Sequence, residues 1–489
     1  MTSMNMASAT TASRTTASPT TAPTTTAPTT MPSTIMSRAR MAHACTSLAA
    51  AVLLCAASPA AAQSDIVPAK PQSRPIAIIN AVVHTATTAN PVIENGHVLF
   101  DGGRITSIGP GVPALPADCE VVDAKGRHVS PGFCAFPSSL GLVETLQVEA
   151  TDDRVEVGDL RPEVTPSVAI NPDSDLLAVS RAAGILISVS VPDGGLVSGS
   201  ASAIRLDGWT PEELTIDPSV GLVMTWPMVE PARSFASRRS PEEQRRRATE
   251  DLARIARFFD DMKAVLEARA ADATVAHDQR AEAMRDVLSG KDPVFVQVGS
   301  AAQIEGAVAW FKARGMRCAV IGGEGVETAI PFLKANAVPV VLNGVHRVPG
   351  NRHARSDDAY ALPRKLAEAG IEFSIATGDE PAHTRNLPHH AATAAAFGLD
   401  REAALRAVTS SPCRIAGIAN RYGTIEPLKS ATLILTDGHP LELTSSVAAA
   451  WIDGETLDLS SHQSEMKRKY DEKPAAARTP APASEPARK

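Results

Sequence analysis

The stretch Ser130–Glu144, "SPGFCAFPSSLGLVE", begins as an apolar run and continues into a loop of small residues. Beyond it, short apolar runs alternate with segments of helical pattern: "GILISVSV" (184–191), "DPVFVQVG" (292–299), "RCAVIGG" (317–323), "VPVVLNG" (338–344) and "EFSIATGD" (372–379). Repeated strand and helix units of this kind predict a parallel sheet, either open or closed into a barrel. The fold class is therefore predicted to be α/β.

A second, smaller β module is expected from segments on both sides of this region. The runs "IAIINAVVHTAT" (76–87) and "HVLFDGGRITSIG" (97–109) alternate as strands do, and Gly102 and Gly103 supply a tight turn. Near the other end, "GTIEPLKSATLILTDG" (423–438) and "VAAAWIDGETLDL" (447–459) have the same character. The two chain ends are therefore predicted to form one module together.

Length and composition limit the possible partners. The 489 residues suffice for a barrel of roughly 250 residues plus a second module. The formal net charge is −7, and no basic patch is visible, so nucleic acid is not an expected partner. With 44% hydrophobic and 21% charged residues, the composition is that of a globular protein that does not bind membranes.

Both termini are expected to lie outside the fold. Residues up to about Ser33 form a Thr/Ala/Pro/Ser repeat, and "MSRARMAHACTSLAAAVLLCAASPAAAQ" (36–63) has the basic, apolar and Ala-x-Ala regions of a secretory signal peptide. Residues 1–62 are therefore predicted to be a leader and signal peptide, which implies a periplasmic or secreted protein. The Pro/Ala-rich end, residues 463–489, is predicted to be a disordered tail.

The cysteines of the exported chain do not indicate a zinc site. Cys119, Cys134, Cys318 and Cys413 are widely separated, and no CxxC spacing occurs. An oxidising compartment permits disulfides, while the apolar surroundings favour buried thiols, so both states stay open.

These stretches resemble the amidohydrolase superfamily, and most closely its secreted, imidazolonepropionase-like branch. Further stretches carry the likeness: "AINPDSDLLAVSRAAGI" (169–185), "GGLVSGSASAIRLDGWT" (194–210), "NLPHHAATAAAFGLDREAALRAVTSSPCRIAGI" (386–418) and "HQSEMKRKY" (462–470). The resemblance implies a (β/α)8 TIM-type barrel over residues 131–412 and a composite β-sandwich of residues 63–130 with 413–462. It also implies hydrolysis of non-peptide carbon–nitrogen bonds.

The resemblance further implies a divalent metal such as zinc, held by a His-x-His pair on the first barrel strand and by further groups at strand ends. In this sequence the pair falls on Pro137 and Ser139, and a later histidine falls on Gln297. The next strand offers only Gly322, Gly323 and Glu324. Asp379 alone matches the family pattern, so it is the predicted catalytic residue, and no intact set of metal ligands is expected.

Other polar residues leave alternatives open. His346, His353 or His383 could rebuild a metal site with Asp379, or Asp379 could act as a general base without metal. His389 and His390 are expected to begin a helix. Glu144, Glu163 and Asn171 either line the barrel mouth or brace loops. The remaining histidines of the exported chain are expected to be structural or on the surface: His84, His97, His128, His277, His439 and His462.

Three functions follow from these observations. The first is an amidohydrolase-like hydrolase with a small-molecule substrate. The second is a non-catalytic periplasmic protein that binds a small molecule or a partner. The third is a structural subunit in a hetero-oligomer, and a homo-oligomer is equally compatible with the sequence.

Overall fold

The computed structural model describes residues 66–231, 239–349, 354–378 and 380–472. The predicted leader and signal peptide (1–62) and the chain end from residue 473 lie outside the described residues. Within the described ranges, no helix has both the length and the apolar character that a membrane span requires.

The small module is a mixed sheet of eight strands to which both chain ends contribute. Its order is β16-β15-β14-β5-β1-β2-β3, with β4 also paired to β1. The strands are β1 (Ile76–His84), β2 (Val92–Asp101), β3 (Arg104–Pro110), β4 (Glu120–Asp123), β5 (His128–Pro131), β14 (Leu433–Thr436), β15 (Val447–Ile452) and β16 (Glu455–Thr456). Antiparallel pairing of β14 with β5 joins the two ends. The arrangement of these strands as a two-layer sandwich stays a prediction.

The turn between β2 and β3 has the expected form. Gly102 and Gly103 connect the strands with φ angles of +54° and +78°, which suit a two-residue hairpin. Between the chain ends, the rings of Phe100 and Trp451 meet edge to face, with centroids 5.9 Å apart.

The second sheet is a nearly closed barrel of eight strands in the order β13-β12-β11-β10-β9-β8-β7-β6. The strands are β6 (Phe133–Ser138), β7 (Ile185–Ser190), β8 (Val197–Arg205), β9 (Thr215–Thr225), β10 (Pro293–Gln297), β11 (Arg317–Gly322), β12 (Val340–Leu342) and β13 (Phe373–Ile375). The apolar runs predicted as strands are thus confirmed.

The expected (β/α)8 pattern is wrong at one strand. Strand β8 runs antiparallel to both β7 and β9. Residues 191–196 link β7 to β8 without a helix, and residues 206–214 link β8 to β9 through the short helix α2 (Pro211–Leu214). Such short links reverse the chain, whereas parallel neighbours need a longer crossover connection. Seven strands therefore share one direction, and β8 opposes them.

Residues 407 and 408 bridge the gap between the first and last barrel strands. The backbone N–H of Ile375 in β13 donates to the carbonyl of Ala407 over 2.9 Å. The backbone N–H of Cys134 in β6 donates to the carbonyl of Val408 over 2.8 Å. This segment completes the ring of main-chain hydrogen bonds that a barrel requires.

Helices cover the barrel and follow its strands. Besides α2, they are α1 (Asp175–Ala182), α3 (Pro241–Ala271), α4 (Gln279–Ala283), α5 (Arg285–Leu288), α6 (Ala301–Ala313), α7 (Val326–Asn336), α8 (Asp358–Ala369), α9 (Leu387–Ala396), α10 (Arg401–Arg406), α11 (Ser410–Ile415) and α12 (His462–Glu472). Short 3₁₀ helices occupy Glu149–Thr151, Pro166–Ala169 and Pro381–Asn386. Helix α3 begins with a capping box formed by Ser240 and Glu243.

Helix α12 corrects the predicted start of the disordered tail at residue 463. Its first turn is stabilised by reciprocal bonds, in which Ser461 N–H donates to Ser464 Oγ and Ser464 N–H donates to Ser461 Oγ. Arg468 pairs with Glu465 one turn earlier. These local contacts support a helix where composition alone indicated disorder.

The described cysteines are free thiols. Cys134 and Cys413 are buried, and Cys119 and Cys318 are partly buried. Burial raises the pKa of the Cys318 thiol to about 11, so this thiol is not a reactive nucleophile.

The barrel interior below the strand ends is filled by aromatic and aliphatic side chains. Phe136 of β6 and Phe295 of β10 are both fully buried, and their rings meet edge to face at 4.8 Å. The other buried side chains of this cluster, among them Ile187, Val223 and Val341, pack around the two rings as in the filled core of a barrel.

We expect Phe295→Ala to lower the free energy of unfolding by about 3–5 kcal/mol, because it leaves a cavity between β6 and β10. Urea unfolding measures this loss. Phe397→Ala is the control, since Phe397 is 38% exposed; its loss should stay below about 1.5 kcal/mol. Equal losses for the two variants would contradict the packed interior.

Candidate functional site

The first barrel strand presents no metal-binding side chain at its end. Pro137 lies within β6, and Ser139 is the first residue after this strand. Between them, Ser138 Oγ accepts a hydrogen bond from the Leu140 backbone N–H over 3.1 Å. Proline has no donor atom for a metal, and a neutral hydroxyl is a weak ligand. The residues present here do not fit the metal pair that the resemblance implies.

The ends of β10 and β11, two further strands of the barrel, carry a neutral amide and two glycines. Gln297 ends β10, and its Oε1 accepts a hydrogen bond from Thr225 Oγ1 of β9 over 3.1 Å. Gly323 follows β11, and its carbonyl accepts a hydrogen bond from Arg347 Nη2 over 3.1 Å. Glu324 is exposed beside it. None of these groups replaces an imidazole at the barrel axis.

Two predicted site residues cannot be located. Asp379, the predicted catalytic residue, and His353 lie outside the described residues. The role of Asp379 therefore stays a prediction, as does any site that includes His353.

Two other candidate histidines are engaged in the packing of α9. His346 Nε2 lies 2.7 Å from Thr393 Oγ1, and His390 Nδ1 accepts the Val345 backbone N–H over 3.2 Å. Their rings are 4.0 Å apart. Burial, reinforced by the charge of His346, lowers the pKa of His390 to about 3. Neither these rings nor the exposed His383 belongs to a set of three possible metal ligands within the described ranges.

The candidate loop residues after β6 brace the structure or face solvent. Glu144 accepts hydrogen bonds from Ser174 Oγ and from the Asp175 backbone N–H, so it caps the start of α1. Asn171 Oδ1 accepts the Asp173 N–H within a turn. Glu163 is exposed.

A cleft of about 730 Å³ opens beyond the carboxyl ends of β10, β11 and β12. Loops 299–301, 323–325 and 347–349 and the start of α8 line it. Its charged lining residues are Glu324, Glu327, Arg347, Arg355 and Asp358. The volume lies within the range of small-molecule sites, and this end of a barrel is where ligands bind in such folds.

Gly325 sets the shape of this cleft. It precedes α7 with a φ of +74°, and an added Cβ would lie 2.3 Å from the backbone nitrogen of Ala301 and 2.5 Å from the carbonyl carbon of Ser300. The loops after β10 and β11 can therefore touch only because this residue has no side chain.

A different set of polar side chains converges away from the barrel mouth. His84 ends β1, His128 begins β5, Glu402 lies on α10, and His439 follows β14. We call these four residues the histidine cluster. His84 Nδ1 is 2.9 Å and His439 Nε2 is 3.4 Å from Glu402 Oε1, and His84 Nε2 is 2.8 Å from His128 Nδ1.

Burial and mutual contacts shift the titration of the histidine cluster. Burial alone would raise the pKa of Glu402, but hydrogen bonds from His439 and His84 outweigh it and lower the pKa to about 2. Burial, together with the charge of His84, lowers the pKa of His128 to about 4. Glu402 is therefore a carboxylate and His128 a neutral imidazole at neutral pH.

The convergence of His84, His128 and His439, which are expected from the sequence only to be structural or on the surface, is not predicted. His128 pairs with Val82 across the parallel β1 and β5, which puts His84, two residues on, on the same face. The pairing of β14 with β5 then brings the segment that holds His439 alongside. Strand alternation in the sequence predicts which side chains share a face of each strand. It does not predict which strands are neighbours, so the convergence of these histidines follows only once the sheet order is known.

Comparisons with known proteins agree with this architecture. A sequence model described as "Amidohydrolase family" matches residues 306–460, from α6 to beyond β16. "Amidohydrolase tasK" of Hapsidospora irregularis is 24% identical to this chain over 396 residues. The match covers 73% of this chain and 39% of that protein, so the chain spans well under half the length of this relative. The crystal structure of an amidohydrolase from Thermotoga maritima MSB8 has a TM-score of 0.69 at 23% identity, covering 78% of this chain and 99% of that one.

We expect Gly325→Ala to destabilise the protein by about 3 kcal/mol or more, since overpacking adds to the strain of a positive φ. Gly370→Ala is the matched control: its φ is +72°, yet nothing lies within 4 Å of the added Cβ. Its cost should be about 1 kcal/mol. Urea unfolding compares the two, and equal costs would refute the close approach of the loops.

His390 should make stability depend on pH. Its pKa is about 3 in the folded state, against an unfolded value near 6.5. The unfolded state therefore binds more protons between these values, so stability is full above pH 6.5 and falls as pH decreases toward 3. His390→Asn keeps an acceptor for Val345 but does not titrate. The difference in unfolding free energy between wild type and variant should shrink as pH falls; a constant difference would oppose this account.

Proposed function

We propose that this chain is an amidohydrolase-type protein of the imidazolonepropionase-like branch that binds a small polar molecule at its barrel mouth without metal-assisted hydrolysis. The amidohydrolase match over residues 306–460 is the premise. The observation that carries the proposal is the chemistry of Pro137, Ser138 and Gln297, which offer no imidazole or carboxylate at the ends of β6 and β10.

Metal-assisted hydrolysis needs imidazole and carboxylate ligands that meet at one point, so that a bound water loses a proton near neutral pH. Ser138 and Gln297 occupy the ends of β6 and β10 instead. Gln297 lies two residues beyond the buried Phe295 in a strand of regular register, and hence on the same inward face. Hydroxyl and amide groups at these places recognise carbonyl, amide or hydroxyl groups of a ligand through hydrogen bonds.

The cleft, whose lining begins at Gly299, two residues beyond Gln297, favours a polar ligand. Arg347 and Arg355 lie in the same lining as Glu324 and Asp358, so both signs of charge are offered. Arg355 is held by Asp357 at 2.9 Å, while Arg347 reaches over Gly323. A small molecule with both hydrogen-bond donors and acceptors suits this lining better than an apolar one.

Hydrolysis of a non-peptide carbon–nitrogen bond is the second candidate function. The amidohydrolase match favours it, and Asp379 follows β13 in the sequence, where the resemblance requires a carboxylate. In this case Asp379 would accept a proton from the attacking water as a general base.

The proposal extends to location and assembly. The pattern of residues 36–63 supports export to the periplasm or beyond. There the protein would bind its ligand alone, as a homo-oligomer or beside a catalytic homologue, without nucleic acid or membrane contacts.

A thermal-shift screen with hydantoin, dihydrouracil and N-acetyl amino acids tests the binding function. We expect at least one probe to raise the Tm of the wild type and to remain chemically unchanged. Gln297→Leu should abolish the shift, because it removes the amide at the strand end. Glu305→Gln, an exposed position on α6, is the control and should keep it.

Two results would contradict the proposal. Turnover of a probe that disappears in Asp379→Asn would establish the hydrolase instead. An unchanged ligand shift in Gln297→Leu, with folding verified by circular dichroism, would show that the barrel strand ends do not bind the ligand.

A further inference from the structure

The histidine cluster connects three separate parts of the chain. His84 comes from the first strand of the small sheet, Glu402 from α10, which precedes the segment that closes the barrel, and His439 from the segment after β14. His84 and His439 have side chains that are 4% and 9% exposed, and Glu402 is 17% exposed. Burial of three polar side chains from separate elements costs free energy, which hydrogen bonds or a bound ion must offset.

The geometry of the cluster matches the spacing of metal ligands. One donor atom from each of His84, Glu402 and His439 lies within 4.8 Å of the others. Glu402 Oε1 lies 2.9 Å from His84 Nδ1 and 3.4 Å from His439 Nε2, on either side of the roughly 3.3 Å between ligand atoms of a tetrahedral zinc site with bonds of about 2.0–2.1 Å.

One oxygen of the cluster has no partner. Glu402 Oε2 is buried and accepts no hydrogen bond within the described residues, while Oε1 faces both imidazoles. The adjacent Arg401 pairs with Glu442 rather than with Glu402. A buried carboxylate with an unused oxygen is costly unless a cation is nearby.

The surroundings also suit a metal at His84. Its Nε2 lies 2.8 Å from His128 Nδ1. Metal binding at Nδ1 displaces the proton that Nδ1 donates to Glu402. With the ring proton on Nε2, donated to His128, the lone pair of Nδ1 faces Glu402. Metal-bound histidines commonly donate their second ring N–H in this way, which fixes the tautomer and the ring orientation.

His439 has to change its proton position on binding. The Leu441 backbone N–H donates to His439 Nδ1 over 3.1 Å, so the neutral ring carries its proton on Nε2. Coordination through Nε2 requires this proton to move to Nδ1, with loss of the Leu441 hydrogen bond. Metal binding thus replaces the hydrogen bond from Leu441 with a bond between the metal and His439 Nε2.

We propose that His84, Glu402 and His439 bind a transition-metal ion, for which Zn²⁺ is the best match, and that His128 orients His84. Two imidazoles and a carboxylate are a ligand set that zinc accepts. The second Glu402 oxygen or solvent completes the coordination. The ion links both chain ends to the barrel and is separate from the barrel mouth, so the proposal does not depend on the proposed function.

The test uses the full chain without a histidine tag, stripped with chelator and titrated with Zn²⁺ by calorimetry. We expect about one ion per chain, a rise in Tm, and tetrahedral absorption bands when Co²⁺ replaces Zn²⁺. Glu402→Gln and His439→Gln should each weaken binding by more than about 10- to 100-fold, the loss typical of residues that only orient metal ligands. His346→Gln, remote from the cluster, should bind as the wild type does.

Circular dichroism of the metal-free variants separates loss of binding from loss of folding. The proposal is overturned if the folded wild type takes up no Zn²⁺, since the cluster is then only a hydrogen-bonded clamp. It is equally overturned if both cluster variants retain full affinity, or if binding disappears in Asp379→Asn but persists in Glu402→Gln.

Discussion

Two main-chain hydrogen bonds close the barrel, and the positions of both sites depend on them. Residues 407 and 408 accept these bonds from Ile375 on one side and Cys134 on the other. This segment directly follows α10, so its place between β13 and β6 determines where α10 lies. Glu402 on α10 then reaches His84 of the small sheet, and the strand ends of β6 and β13 come together at the barrel mouth.

The sequence predicted the positions of the strands better than it predicted their directions in the sheets. Apolar runs identified the barrel strands, and Gly102 with Gly103 identified the hairpin, because these signals are local. The direction of β8 could not be predicted, since the small and polar residues of "VSGSASAIR" (197–205) fit either orientation and only the short connections decide. Helix α12 was missed because Ser461 and Ser464 stabilise it from its first turn, in a region of low apolar content.

The sequence predicted which metal ligands are missing from the barrel mouth, but it did not predict the histidine cluster. Pro137 and Gln297 could be recognised as poor ligands from their chemistry alone, and their neutral surroundings agree. The convergence of His84 with His439 depends on the pairing of β5 with β14, about 300 residues apart in the chain, which no local pattern contains. Asp379 lies outside the described residues, so its role still rests on the resemblance.

We propose that metal binds at the histidine cluster, between the small sheet and α10, and that a polar molecule binds at the barrel mouth without metal. Anomalous diffraction at the zinc edge, from crystals soaked in Zn²⁺, tests this division most directly. We predict one strong peak among His84, Glu402 and His439. A strong peak between Ser139 and Gln297 at the barrel mouth would contradict the account.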